Sequence, residues 1–120
     1  MLSLLTIVFF SQQSTLAPEL VVASYYTVAS SSTLTASGET MVDQAYTCAM
    51  RDGVFGEYYR VTAENGRSVI VRLNDRGPYI EGRDIDLSAA AMRALDPSME
   101  KGLLNVAIEP VDESEIAPLF

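Results

Sequence analysis

Alternation of apolar and polar positions is clearest in the middle of the chain. Residues 67–74, Arg-Ser-Val-Ile-Val-Arg-Leu-Asn, are rich in β-branched side chains and predict a β-strand. Because side chains along a strand alternate between its faces, Val69, Val71, Leu73 and Asp75 are expected to form one row that faces the core. Asp75 would then lie at the rim of the core, where the strand ends.

Weaker patterns of the same kind predict the remaining elements. A hairpin across residues 64–66 is expected from Asn-Gly, the pair preferred where both turn residues have positive φ. A helix is expected over residues 89–95, capped by Ser88 and ended by Asp-Pro at 96–97. Residues 29–40, rich in Ser, Thr and Gly, predict a surface loop. Further strands are predicted within residues 21–28, 46–51, 57–63, 85–87 and 105–111.

The candidate site is the stretch 74–79, Asn-Asp-Arg-Gly-Pro-Tyr, followed by Gly-Arg-Asp-Ile-Asp-Leu-Ser at 82–88. A carboxylate at the end of an apolar row is partly removed from water, and such a group can both donate and accept a proton. Arg76 favours the anion of Asp75, so the sequence leaves this balance open. In the alternative interpretation, Asp75 forms an ion pair or caps the Gly-Pro turn.

Five segments of the chain resemble the rare lipoprotein A (RlpA)-like family, in the same order. The resemblance spans residues 21–111 and implies an all-β fold, a six-stranded double-psi β-barrel with one short helix, which expansins and some lytic transglycosylases share. The segments are Ala-Ser-Tyr-Tyr at 23–26, Thr-Ala-Ser-Gly-Glu at 35–39, Asn-Gly-Arg-Ser-Val-Ile-Val-Arg at 65–72, the stretch 74–79, and Ile-Asp-Leu-Ser at 85–88.

The resemblance also implies a lytic transglycosylase, which cleaves the peptidoglycan strand without water and leaves an anhydromuramyl end. Asp75 is then expected to act first as general acid and then as general base. Glu39 is expected to be the second catalytic carboxylate, assisting Asp75 or positioning the sugar. The residues expected to bind substrate are Asn74, Arg76, Tyr25 and Arg83.

Two alternatives concern side chains near the candidate site. Arg83 is open to a structural ion pair with Asp84 or Asp86 instead of a substrate contact. Tyr25 and its neighbour Tyr26 should point to opposite faces of their strand, so that one packs inward and the other is available for stacking on a sugar ring. Two ordinary strand tyrosines are the other interpretation.

One departure from the family pattern favours a different function. Family members with lytic activity usually carry a histidine in a Thr-Ala-Ala-His-Arg segment, which aligns with Thr-Cys-Ala-Met-Arg at 47–51. Met50 occupies the histidine position, and the chain contains no histidine. A thioether neither carries a proton near neutral pH nor donates a hydrogen bond. The alternative is therefore a non-catalytic, expansin-like module that binds wall polysaccharide, and an interaction domain that has lost glycan is a third hypothesis.

Composition limits the classes of function. A chain of 120 residues with 48% hydrophobic content suits one domain. Its net charge is −8, although residues 51–95 balance seven Arg against seven acidic residues. Without an excess of Lys and Arg, nucleic-acid binding is not expected, whereas a neutral glycan backbone would not be repelled. With no histidine and one cysteine, Cys48, the sequence predicts no metal site, no cofactor and no disulfide, and we expect a monomer.

The two ends of the chain are interpreted separately. Residues 2–10 form an apolar run of the length of a signal-peptide core, too short to span a bilayer, although no basic residues precede it. We interpret residues 1–20 as a signal-like segment and linker and expect export to the periplasm, cell envelope or medium; an apolar extension packed on the barrel is the alternative. No cysteine precedes Cys48, so no lipid anchor is expected. Residues 112–120 form an acidic tail without an assigned role.

Overall fold

A computed structural model describes residues 18–31 and 33–116. Residues 1–17, which hold most of the signal-like segment, lie outside the described residues, as do the last four of the tail. Among the described residues, no helix is long and apolar enough to cross a membrane. The elements are strands β1 (Val21–Tyr26), β2 (Thr47–Ala49), β3 (Tyr58–Ala63), β4 (Ser68–Asp75), β5 (Ile85–Ser88) and β6 (Leu104–Val111), and helices α1 (Ala89–Leu95) and α2 (Glu113–Ile116), with a 3₁₀ turn at Val28–Ser30.

The six strands close into a barrel in the order β1, β5, β2, β4, β3, β6. Two pairs, β1 with β5 and β2 with β4, run parallel, and the other four are antiparallel. Closure pairs every strand on both sides, so no edge is left open within the barrel. The predicted all-β, six-stranded barrel is confirmed.

Alternation along the strands fills the barrel with apolar side chains. Leu73, Ile85 and Leu87 are fully buried, and the polar residues between them point away from the interior. Helix α1 packs on β1, β4 and β5 and buries Met92 and Leu95 in the same core. As predicted, Ser88 caps the helix, because its Oγ accepts a hydrogen bond from the amide of Ala91 at 3.3 Å.

The hairpin between β3 and β4 lies where it was predicted, but its turn differs from the expected one. Only Gly66 has a positive φ, of 88°, and Asn65 does not. The amide of Gly66 bonds to the carbonyl of Ala63 at 3.0 Å, which is the pattern of a type I turn followed by a left-handed glycine. Asn65 serves instead through its side chain, which accepts from the amide of Arg67 and donates to the carbonyl of Leu95, both at 2.8 Å.

The end of β4 carries a β-bulge that overturns the expected row. Cys48 pairs with Leu73, but the next residue of β2, Ala49, pairs with Asp75, so Asn74 is one extra residue in β4. An extra residue reverses the side on which the following side chain emerges. Asp75 therefore does not continue the core-facing row of Val71 and Leu73. It emerges beside Ala49, outside the barrel interior.

Gly53 packs closely against Leu73, next to this bulge, so that a larger residue there should lower stability. Its φ is +95°, and a Cβ there would lie 2.8 Å from Leu73 Cδ2 and 3.0 Å from the Tyr59 hydroxyl. Gly56 has the same φ of +95° with no atom within 4 Å. Gly56→Ala should cost about 1–2 kcal/mol through backbone strain alone. Gly53→Ala should cost at least about 1 kcal/mol more, because the core is also overpacked.

Urea denaturation of both variants and the wild type measures this difference as free energies of unfolding. Equal losses for the two variants would show that Leu73 and Tyr59 move aside without cost, contrary to the expectation.

Candidate functional site

Four residues lie side by side across neighbouring strands of the barrel. Ala49 on β2 is the register partner of Asp75 on β4 and also of Asp86 on β5. Asp86 is in turn the partner of Ser24 on β1. Since neighbouring strands are about 4.8 Å apart, the backbones of the two aspartates are separated by roughly 10 Å, with only a small alanine between them.

This row lines an open cleft of about 420 Å³ on the outer side of the barrel. The cleft contains both aspartates, and Ala49, which is 2% exposed, lies between them. Of the residues predicted to bind substrate, three line this cleft. These three are Tyr25, Arg76 and Arg83. Tyr26, Pro78, Tyr79 and Ile80 also line the cleft.

Asp75 is held at one oxygen and open at the other. Its Oδ1 accepts hydrogen bonds from the backbone amides of Ala36 at 2.8 Å and Arg76 at 2.9 Å. Its Oδ2 has no hydrogen bond to any residue in the described part of the chain. Two backbone donors fix the orientation of the carboxylate and leave one oxygen available to a ligand in the cleft.

Asp86 is the second carboxylate of the cleft, although from the sequence it was expected only as an alternative partner for Arg83. Burial raises the pKa of Asp86 above its usual value of 3.8, and the charge of Asp75 adds to this effect. The Ser24 hydroxyl, which donates to Asp86 Oδ1 at 3.2 Å, and the charge of Arg83 act against it. The alternation Ile-Asp-Leu at 85–87 was the available signal, because two core residues flank one side chain that must point outward.

Glu39, predicted as the second catalytic carboxylate, is not among the residues that line the cleft. Its side chain accepts two hydrogen bonds from the guanidinium of Arg72, one of them at 2.7 Å. These bonds hold the pKa of Glu39 below its usual value, with smaller contributions from Asn74 and Ser37. A catalytic role for Glu39 stays a prediction.

Asn74, the bulge residue, is 3% exposed and is not part of the cleft lining. Its Oδ1 is buried and has no hydrogen-bond partner among the described residues. Its backbone carbonyl accepts from the amide of Ser37 at 3.2 Å. This environment fits a residue that shapes the strand end, and its predicted contact with substrate stays a prediction.

The arginines around the cleft have different partners. Arg76 donates to the carbonyls of Met50, Asp52 and Gly53 and lies over the ring of Phe55, 4.1 Å from its centroid. These contacts tie residues 50–55 to the end of β4, so Arg76 has a structural role whether or not it also meets substrate. The alternative of a structural ion pair between Arg83 and Asp84 or Asp86 is not observed among the described residues.

Asp84 pairs instead with Arg51, at 3.4 Å. Arg51 also donates to the carbonyls of Pro78 and Arg83, and it thereby holds the loop that follows β4. The guanidinium of Arg83 makes no hydrogen bond or ion pair within residues 18–31 and 33–116. It is therefore a cation at the cleft that remains available to a ligand.

Aromatic side chains border the cleft at different depths. Tyr26 is buried, and its hydroxyl shares a hydrogen bond of 2.8 Å with Thr47. Tyr25 is half-buried and packs partly against the core, on the side of β1 that also carries Ala23, whereas Tyr26 shares the outward side with Ser24. Both tyrosines border the cleft. Tyr79 is 77% exposed at the cleft rim, beside the exposed Ile80. Tyr79 is the last residue of the candidate stretch 74–79, but no role was predicted for it.

Met50 and Cys48 lie beside the row without entering the cleft. Met50 packs partly against the core, and its amide donates to the backbone carbonyl of Asp75 at 3.2 Å. Cys48 is fully buried, and burial raises the pKa of its thiol to about 12. Cys48 is thus a small core side chain and not a nucleophile.

A closed six-stranded barrel of mixed parallel and antiparallel strands in this order is the architecture of double-psi β-barrel proteins. The chain belongs to the lytic transglycolase family, whose family model matches residues 19–108. The family resemblance seen in the sequence is therefore confirmed.

Curated relatives match the same region. A probable endolytic peptidoglycan transglycosylase RlpA from Treponema pallidum is 46% identical over 91 residues, which are 75% of this chain and 28% of that protein. The endolytic peptidoglycan transglycosylase RlpA from Pseudomonas aeruginosa is 43% identical over 91 residues, 75% of this chain and 26% of that protein. The aligned region therefore spans little more than a quarter of the length of these relatives.

Solved structures support the fold at lower identity. An expansin from Clavibacter michiganensis superposes with a TM-score of 0.61 at 21% identity, covering 81% of this chain and 52% of that one. Cerato-platanin 3 from M. perniciosa gives a TM-score of 0.60 at 17% identity, covering 81% of this chain and 98% of that one. At these identities the likeness concerns the barrel alone.

The raised pKa of Asp86 generates a prediction for stability against pH. Below 3.8 the carboxyl is protonated in both the folded and the unfolded chain, so it costs nothing. As the pH rises above 3.8 the unfolded chain ionises first, and the folded state loses stability until it too has ionised. The isosteric variant Asp86→Asn has no such loss, so it should match the wild type in acid and be more stable at pH 7.

Free energies of unfolding from urea titrations at several pH values between 3 and 7 provide the measurement. A variant less stable than the wild type at pH 7, or a gain of the same size at every pH, would contradict the assignment of a desolvated carboxyl.

Proposed function

We propose that this chain is the glycan-cleaving module of a peptidoglycan lytic transglycosylase. The observation that carries the proposal is the pair of carboxylates, Asp75 and Asp86, facing one cleft on either side of Ala49. The two environments differ, because Asp86 is desolvated with a raised pKa and Asp75 is held by two backbone amides. Paired carboxylates in different environments are typical of an acid and a base that act on one substrate.

The reaction needs two proton transfers and no water. A general acid protonates the glycosidic oxygen as its bond to C1 of the muramic acid breaks. A base removes the proton from the 6-hydroxyl of the same sugar, and the freed oxygen bonds to C1 and closes the anhydro ring. One proton enters the leaving oxygen and one leaves the 6-hydroxyl, so the enzyme finishes with the same number of protons.

The structure favours dividing these transfers between the two aspartates. Asp86 is suited to be the acid, because burial favours its protonated form. Asp75 is suited to be the base, because its Oδ2 is free of protein partners among the described residues. This assignment modifies the expectation that Asp75 serves in both steps. Arg83, Tyr25 and Tyr79 line the cleft as the groups that would hold sugar hydroxyls, acyl groups and ring faces.

The comparisons support this substrate class. The relatives from T. pallidum and P. aeruginosa carry peptidoglycan in their names, and a mutant of the Clavibacter expansin was solved in complex with cellohexaose, also a glycan chain. A protein that acts on peptidoglycan works in the cell envelope, so the proposal implies that location. The signal-like segment and the monomeric state stay predictions.

Met50 favours the second candidate function, a non-catalytic module that binds wall glycan. With methionine at the position of the family histidine, no imidazole assists Asp75. The cleft, its tyrosines and the free guanidinium of Arg83 would serve binding equally well.

The first prediction of the proposal concerns the two aspartates. Asp75→Asn and Asp86→Asn should each reduce cleavage of purified peptidoglycan by about 100-fold or more, the usual contribution of a general acid or base. Asp52→Asn is the matched control and should cleave like the wild type. Asp52 is exposed, and it contacts Arg76 through its backbone carbonyl and not through its side chain. Mass spectrometry of released products detects the anhydromuramyl ends.

An aryl glycoside of the peptidoglycan disaccharide separates the acid role from the base role, because its phenolate leaves without being protonated. Asp86→Asn should recover activity on it and Asp75→Asn should not. If Asp86→Asn also fails to recover activity, Asp86 is not the general acid, and the proposed division of roles is wrong. Retention of the wild type on pelleted peptidoglycan without any product would contradict the enzyme and establish the binding module.

Tyr79 generates a prediction about binding. If its exposed ring stacks on a sugar, Tyr79→Ala should raise KM about tenfold, as expected for the loss of about 1.4 kcal/mol, and leave kcat within about twofold. Tyr46 is 54% exposed but lines a different groove, so Tyr46→Ala is the control. Steady-state kinetics on soluble glycan fragments measures both constants. A loss in kcat at unchanged KM would exclude a stacking platform.

A further inference from the structure

A short turn of the chain lies across the end of β4, next to the cleft. Within it, the amide and the hydroxyl of Thr35 both donate to the carbonyl of Glu39, at 2.9 and 3.0 Å. The amide of Gly38 donates back to the carbonyl of Thr35 at 3.0 Å. We call residues 35–39 the Thr35 turn. These internal bonds make it a unit whose parts move together.

The Thr35 turn delivers a hydrogen-bond donor to Asp75. The amide of Ala36 is one of the two donors on Asp75 Oδ1. The amide of Ser37, the next residue, bonds to the carbonyl of Asn74 at 3.2 Å. The position of the turn on β4 therefore decides whether the carboxylate of Asp75 keeps two backbone donors or one.

Glu39 provides the charged anchor of this turn on the barrel. Its two hydrogen bonds reach Arg72 on β4, three residues before Asp75. A bidentate pair between a guanidinium and a carboxylate fixes direction as well as distance. The two side chains are 29% and 40% exposed, so solvent screens the pair only in part. Both carboxylate oxygens of Glu39 are thus engaged by Arg72.

We propose that Glu39 is a positioning residue: by binding Arg72 it seats the Thr35 turn on β4, so that the Ala36 amide orients Asp75 for its role as base. The inference rests on the proposed function for its catalytic consequence, and on the geometry of the turn alone for its structural one. It replaces the expectation that Glu39 is itself a catalytic carboxylate.

Charge reversal distinguishes a positioning residue from a catalytic one. Glu39→Arg and Arg72→Glu should each speed hydrogen exchange at the Ala36 amide and lower kcat about tenfold, with KM changing less. The double variant restores an ion pair in the opposite sense and has no carboxylate at position 39. It should recover both the slow exchange and kcat to within about threefold of the wild type.

The chain offers a matched control in the pair Arg60 and Glu109. These residues are register partners on β3 and β6, joined at 3.0 Å and outside the cleft lining. The same reversals there should leave the Ala36 exchange rate and kcat unchanged. Glu39→Gln, which keeps the shape and one acceptor, covers the case in which charge reversal prevents folding, and it should show a smaller change of the same sign in both quantities.

Two results would overturn the inference. A double variant with slow Ala36 exchange but no recovery of kcat would mean that the carboxylate of Glu39 takes part in the reaction. Unchanged exchange at Ala36 in the single variants would mean that the ion pair does not seat the turn. A wild type without cleavage activity would contradict the proposed function only, and the exchange rates would still decide whether Glu39 holds the turn.

Discussion

The extra residue in β4 is the constraint from which the site follows. If β4 continued in register after Leu73, the side chain of Asp75 would point into the apolar interior. A carboxylate there would be desolvated without a partner, at a cost of several kcal/mol. The bulge at Asn74 turns Asp75 outward at the one level where Ala49, Asp86 and Ser24 also face outward. Pairing of the two aspartates is thus a consequence of register.

This arrangement has a structural cost. The Oδ1 of Asn74 is buried without a hydrogen-bond partner in the described part of the chain, and such groups typically cost about 1–3 kcal/mol. Asp86 is also held where its charged form is disfavoured. Both groups lie at the cleft or next to it, since Asp86 lines the cleft and Asn74 directly precedes Asp75. Unsatisfied or desolvated polar groups beside a cleft are what a functional site is expected to show. A second buried oxygen without a partner among the described residues, Oδ2 of Asp96, lies after helix α1 and outside the cleft lining.

Much of the fold was predictable from the sequence because it follows from local patterns. The strands, the Ser88 cap and the hairpin position each depend on residues adjacent in the chain. The turn type and the bulge were not predictable in this way. Nothing in the sequence from Val69 to Asp75 marks an interruption, and only the pairing of β4 with β2, more than 20 residues away, inserts the extra residue. The same reason hid Asp86, since it becomes a partner of Asp75 only across two strands.

Parallel pairing gives the cleft a further property, which concerns the order of folding. Ser24 and Asp86 are 62 residues apart in the chain, and Ala36 and Asp75 are 39 apart. Contacts between distant residues form late, because closing long loops costs chain entropy before any contact repays it. An unfolded or nascent chain carries both aspartates but no pair, and the row of four exists only once the first strand has joined the fifth. The cleft with its two facing carboxylates therefore exists only once β1, β5, β2 and β4 have assembled.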